Sequence, residues 1–125
     1  MAQQNKIITF MDNLWVSIEE NVLTIGVLES GLEDATEIYH IDLPPENSEI
    51  EGEEICGEVH TDDGPLNLYS PVAGTVLEVN SSMIKNPKML FEDSEGECWL
   101  FKIDASDEDD IERFIQESSE NQNDD

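Results

Sequence analysis

Basic side chains are scarce in this 125-residue chain: five Lys and Arg stand against 31 Asp and Glu, for a formal net charge of -26. A surface of that sign repels nucleic-acid phosphates and anionic lipid headgroups, so neither is an expected partner and basic protein surfaces are favoured. The same acids are equally compatible with a small protein that uses them only to stay soluble. Cysteine is scarce too. Cys56 and Cys98 are too few and too far apart for a disulfide framework, and no Cys-x-x-Cys pair invites zinc, so both are expected to be reduced, buried thiols. No apolar run approaches bilayer length, and Met1 to Lys6 lack the charged start and apolar stretch of a secretory signal. The cytoplasm is the expected compartment. A Gly-x-Ser-x-Gly elbow and a Gly-rich phosphate loop are both missing, and with only two histidines a catalytic triad cannot be assembled. Independent enzymatic activity is not expected.

What is present is a core. Hydrophobic residues make up 38% of the chain, including two Trp and four Phe, which is enough for one domain at this length. Leu14, Val16 and Ile18, then Leu23, Ile25 and Val27, alternate with period two around the polar turn Glu19-Glu20-Asn21, and so predict a hairpin. Glu29 to Ala35 is acidic, short and broken by Gly31, which suits a helical turn or two. Tyr39, Ile41 and Leu43 alternate until Pro44-Pro45 stops the strand. Ile55 to Thr61 and Leu66 to Ser70 read as strands flanking Asp62-Asp63-Gly64-Pro65, a turn with an exposed tip. Thr75 to Val79 and Cys98 to Ile103 are further strands, with an apolar but irregular stretch between them at Met83, Pro87, Met89, Leu90 and Phe91. Ser106 and Asp109 stand at the spacing of an acidic capping box, and Ile111, Phe114 and Ile115 share one helical face. The predicted fold is mainly β, a flattened barrel or sandwich of short antiparallel strands with a short internal helix and a C-terminal helix. The predicted organisation is an N-terminal extension over residues 1–10, one domain over 11–116, and a disordered acidic tail over 117–125. A monomer is expected.

Order and spacing of particular residues give the domain a relative. Trp15-Val16, then Ile25-Gly26-Val27, the short segment Glu29 to Ala35, and Ile41-Asp42-Leu43-Pro44 follow one another. Tyr69-Ser70-Pro71-Val72-Ala73-Gly74-Thr75-Val76-Leu77-Glu78-Val79-Asn80 carries the most specific pattern, aromatic-x-Pro-Val-x-Gly-x-Val-x-x-x-Asn. Pro87, Gly96-Glu97-Cys98-Trp99-Leu100 and a helix over Asp107 to Gln116 complete it. Over roughly residues 13 to 116 the chain resembles the glycine cleavage system H protein family, small relatives of lipoyl and biotinyl domains. The resemblance implies a lipoyl-domain-like fold. It also implies a lipoyl arm, amide-linked to a lysine at a hairpin tip, that carries an aminomethyl group between a decarboxylase, an aminomethyltransferase and a dihydrolipoyl dehydrogenase.

That lysine is missing. Counted back from Tyr69-Ser70-Pro71, its position falls on Asp63, the preceding Ser on Thr61 and the preceding Glu on His60; a carboxylate offers no amine to acylate. Lys6, Lys85, Lys88 and Lys102 lie in other segments. Pro65 and Leu66 replace the small residues that follow the family lysine, Asn13 replaces a His, and Cys98 replaces a Gly. The expected role is therefore a non-lipoylated protein-binding module, a regulator, decoy or subunit recognised by glycine-cleavage or lipoate-handling enzymes. Its candidate partner-binding tip is His60, Asp62, Asp63 and Gly64, and neither a cofactor nor a metal is expected. One alternative is a genuine aminomethyl carrier. Another is a small metal-binding or acid-base protein using His60 with Asp62 and Asp63. His40 reads as a surface histidine. Cys56, between Glu54 and Glu58, should have a raised thiol pKa.

Overall fold

The computed structural model of the protein describes residues 6–10, 13–93 and 99–121. Among the described residues, nine strands form two antiparallel sheets. The larger contains β1 (Lys6–Phe10), β2 (Leu14–Glu19), β3 (Val22–Val27), β5 (Glu49–Ile50), β8 (Gly74–Val79) and β9 (Phe101–Ala105), in the order β1-β2-β3-β9-β8-β5. The smaller contains β4 (Ile38–Asp42), β6 (Ile55–Thr61) and β7 (Gly64–Tyr69), in the order β4-β6-β7. This is the mainly β, sandwich-like architecture expected from the alternating segments.

Period-two alternation decides which side chains meet between the sheets. Leu14 and Val16 of β2, Leu23, Ile25 and Val27 of β3, and Phe101 and Ile103 of β9 are fully buried there, with Ile41, Val59 and Leu68 from the smaller sheet in the same cluster. Trp15 points to the other face of β2 and sits over Gly26, where a Cβ would come within 2.4 Å of the indole. Gly74 has a different reason. A Cβ on it would stand 2.4 Å from the Asp104 carbonyl oxygen of β9, so the close approach of the two backbones requires glycine there.

The Tyr69 to Asn80 pattern now has a local explanation at both ends. Ser70 is fully buried, and its hydroxyl donates to the Val72 carbonyl (2.5 Å) while accepting the Val72 amide (3.2 Å), which ties the bend between β7 and β8. Asn80 donates through Nδ2 to the Trp99 carbonyl (2.8 Å) and accepts the Ser82 amide on Oδ1 (3.2 Å). It thereby caps helix α1 (Ser81–Lys85) and fixes the approach to β9. The irregular stretch after Asn80 is helical: α1, a 3-10 turn at Pro87–Met89 and α2 (Leu90–Asp93) bury Met83 and Leu90, and the first two pack against β4. A second 3-10 turn, Glu29–Leu32, is the short internal helix.

Four boundaries differ from the sequence-based expectation. Lys6–Phe10, assigned to an extension, pairs with β2 along its whole length, buries Ile8, and sets the Phe10 ring edge-to-face on Phe114 with centroids 5.5 Å apart. The strand expected over Cys98 to Ile103 starts at Phe101; Cys98 lies outside the described residues. The cap of helix α3 (Glu108–Asn121) is Asp107, whose carboxylate accepts the Asp109 amide (3.0 Å); the Ser106 amide instead donates to the Ala73 carbonyl (3.0 Å). An acidic first turn, Glu108, Asp109 and Asp110, suits the positive end of the helix dipole. The helix also continues to Asn121, into the segment assigned to a tail, whose residues 122–125 are outside the described set. No helix among the described residues is long and apolar enough to cross a membrane.

Candidate functional site

The smaller sheet has a buried face and an open one. Ile41, Val59 and Leu68 face the core, so strand alternation turns His40 and Asp42 of β4, and Glu58 and His60 of β6, to the other side. Its long hairpin, β6 and β7, ends in the two-residue turn Asp62-Asp63, with Thr61 opposite Gly64. Gly64 adopts φ +108°, a conformation open to glycine and costly for side-chain-bearing residues.

The two tip aspartates, equivalent in the sequence, have separate roles. Asp62 accepts the Thr36 hydroxyl (2.6 Å), the Thr36 amide (2.9 Å) and the Glu37 amide (3.1 Å), and its own amide donates to the Glu37 carbonyl (3.1 Å). These bonds pin the tip to the segment that leads into β4. They favour the carboxylate, the Thr36 hydroxyl most, and hold the Asp62 carboxyl below its ordinary value. Asp63 is exposed, and its carboxylate takes no hydrogen bond among the described residues; only its amide is engaged, donating to Thr61 Oγ1 (3.0 Å). Thr61 Oγ1 in turn donates to the Gly64 carbonyl (2.8 Å), closing the turn.

His60 turns away from both. Its Nε2 lies 3.1 Å from Glu58 Oε1 and 3.3 Å from Asp42 Oδ2, while His40 Nε2 lies 2.8 Å from Asp42 Oδ1. The register explains the gathering: His40 stands opposite His60, and Asp42 opposite Glu58, so four side chains occupy one face of two paired strands. The imidazole rings are 5.2 Å apart and tilted by 39°. Hydrogen bonds from His40, and then from His60, hold the Asp42 carboxyl below its ordinary value. The grouping expected of His60 with Asp62 and Asp63 therefore does not form. Among the described residues, ligating atoms within 4.8 Å of one another come from His40, Asp42 and His60. The reading of His40 as a surface histidine agrees with its exposure, but its meeting with Asp42 was not read, although their two-residue spacing on an alternating strand was a signal that they share a face.

Other chemistry is sparse. The Cys56 thiol is half-buried, donates weakly to the Leu68 carbonyl (3.6 Å) and is pushed up to about 11 by burial. The expected direction is correct, but the leading cause is desolvation and not the flanking glutamates. A surface groove between the β2–β3 turn and the start of α3 is lined by Glu20, Asp104, Glu108 and Glu112, with Val22 and Ile111 at its floor. It carries no nucleophile or base of the histidine or cysteine kind. Trp99 is half-buried and carries the Lys102 ammonium 4.8 Å from its ring centroid, a cation-π contact.

Residues 7–124 match the family description "Glycine cleavage H-protein". The chain is similar to the glycine cleavage system H protein of Thermotoga maritima, 32% identical over 105 residues, which cover 84% of this chain and 85% of that one. It is also similar to the protein of the same name from Dinoroseobacter shibae, 33% identical over 105 residues and covering 83% and 85% of the two chains. Among solved structures, the crystal structure of a glycine cleavage system H protein from Mycobacterium marinum superposes with a TM-score of 0.75 over 83% of this chain and 87% of that one, at 21% identity. That likeness bears on the fold.

Proposed function

The chain belongs to the glycine cleavage H-protein family, and on that premise we propose that it is a non-lipoylated member acting as a protein-binding module. The single observation carrying this reading is the chemistry of the hairpin tip. The position that corresponds to the carrier lysine is Asp63, at the exposed end of the β6–β7 hairpin. A lipoyl arm is held through an amide on a primary amine, and Asp62, Asp63 and Gly64 supply none. Lysines on described residues are placed elsewhere: Lys6 on β1, Lys85 on α1, Lys88 in the 3-10 turn and Lys102 on β9. The residues at the tip do not fit the prosthetic group.

The rest of the scaffold supports binding without carriage. The bonds of Ser70 and Asn80 hold the bends at the two ends of the Tyr69 to Asn80 segment, so the scaffold behind the hairpin is kept in shape. The tip is pinned by Asp62 and presents Asp63 as an unshared negative charge. Partners of matching chemistry are enzymes that recognise H-like domains, glycine-cleavage or lipoate-handling, through a basic rim around their lysine- or arm-receiving cleft. Independent catalysis has no support in the tip, the acidic groove or the suppressed Cys56 thiol. Intact-mass measurement of the protein purified from its own cells tests the first half of the reading: the expected mass is that of the bare chain. An added lipoyl group would restore the carrier reading. Affinity capture from the same cells tests the second half, with a glycine-cleavage or lipoate-handling enzyme as the expected co-purifying partner; recovery of neither would sink it.

A further inference from the structure

The open face of the β4–β6 pair holds four side chains whose arrangement neither the family membership nor the proposed binding role requires. We propose that His40, Asp42, Glu58 and His60 form a site for one divalent transition-metal ion of the kind that imidazole favours, such as zinc or copper. Both histidine Nε2 atoms lie against the same carboxylate, His40 at Oδ1 (2.8 Å) and His60 at Oδ2 (3.3 Å), and Glu58 Oε1 adds a fourth ligand at the edge of this group, 3.1 Å from His60 Nε2. In a four-coordinate zinc site, bonds of about 2.0–2.2 Å place neighbouring ligand atoms about 3.4 Å apart. The ligating atoms of His40, Asp42 and His60 already lie within 4.8 Å of one another, so side-chain rotation closes the site without moving either strand.

The backbone is set beforehand. Cross-strand pairing puts His40 opposite His60 and Asp42 opposite Glu58, and Asp62 locks the end of the same hairpin to the residues before β4. Two neutral imidazoles with two carboxylates neutralise a dication, and the surrounding acidic surface raises the local concentration of cations. With Nε2 on the metal, each imidazole carries its proton on Nδ1. The donor set also separates this site from the rest of the surface: hard cations such as magnesium and calcium prefer all-oxygen ligands, whereas the two nitrogens select softer ions. The inference stands independently of whether the tip is lipoylated.

Titration of the full-length protein with zinc, followed by calorimetry in excess magnesium, tests it. One zinc per chain is expected to bind with magnesium present. His40→Ala and His60→Ala should each weaken it by at least about tenfold, the scale on which metal sites respond to lost supporting groups, and Glu112→Gln, an exposed acid on α3, should leave it unchanged. Asp42→Asn, which keeps the side-chain shape, should weaken binding as well, and circular dichroism of every variant should match the parent. Copper bound at one equivalent should report two imidazole nitrogens by electron paramagnetic resonance, and one in His60→Ala. Zinc uptake that magnesium abolishes, uptake unchanged in the double histidine variant, or a copper signal with fewer than two imidazoles would each overturn the proposal.

Discussion

The two sheets of this protein use the same strand alternation for different ends. In the larger sheet, β2, β3 and β9 contribute Leu14, Val16, Leu23, Ile25, Val27, Phe101 and Ile103, all at 0% exposure, and its backbones approach closely enough to demand Gly74. In the smaller sheet only one face is committed in that way, through Ile41, Val59 and Leu68, and the other carries His40, Asp42, Glu58 and His60. Residues that match the family pattern lie largely in the first region or at the bends that tie it together. Departures from the pattern cluster in the second, at His60, Thr61, Asp63, Pro65 and Leu66. Packing leaves little freedom in the larger sheet, whereas the open face and tip of the smaller one can change without disturbing the core. On the proposed non-lipoylated reading, the fold is held while the chemistry of the arm differs.

The sharpest way to break this contrast is to remove mass from the committed sheet. Phe101→Ala deletes a fully buried ring at the centre of the core and should cost about 3–5 kcal/mol in urea unfolding at neutral pH. A cost below about 1 kcal/mol would mean that the larger sheet does not carry the stability assigned to it.

A smaller effect is expected where the arm is tied to the rest of the molecule. Asp62 is ionised more readily in the folded state than in the unfolded chain, because Thr36 and Glu37 donate to it. A carboxyl with a lowered folded value contributes stability above its unfolded value, 3.8 as an ordinary reference, and loses it as pH falls through the lower folded value. The melting temperature of Asp62→Ala should therefore lie below that of the parent at neutral pH, and the gap should narrow as the solution is acidified from that reference downward. A gap independent of pH would show that the hydrogen bonds to Asp62 do not depend on its charge.

How far the sequence led follows the same division. β2, β3, β8 and the hairpin β6–β7 were legible because apolar residues alternate along the strand sequences and turn residues separate β6 from β7. β1 was hidden by the polar run before it, β5 has two residues, and α1 and α2 are too short to display a helical period; β5 and α1 are fixed by partners remote in sequence, β8 and β4. At the site, the turn at Asp62-Asp63 could be read directly. The meeting of His40 with His60 could not. It depends on the pairing register of β4 with β6, which includes an irregularity between Ile38 and His40, and a one-residue slip would have sent the side chains to opposite faces. Asp62 and Asp63 were likewise indistinguishable until Thr36 and Glu37, more than twenty residues away, were placed beside one of them.

The smallest expected change in stability belongs to the residue that matters most to the proposed role. Asp63 is exposed, and its carboxylate has no hydrogen-bond partner among the described residues, so Asp63→Lys should alter unfolding free energy by less than about 0.5 kcal/mol. Chemically it puts a primary amine at the end of a hairpin already held in shape by Asp62 and Thr61. Incubated with a lipoate ligase, lipoate and ATP, the Asp63→Lys protein should gain one lipoyl group, read by intact mass, while the parent gains none. Acylation of the parent would place the arm on a different lysine and end the non-lipoylated reading. Failure of a folded Asp63→Lys protein to be acylated would mean that His60, Thr61, Pro65 and Leu66 have also erased what the ligase reads, and would remove lipoate-attaching enzymes from the expected partners while leaving the glycine-cleavage enzymes in place.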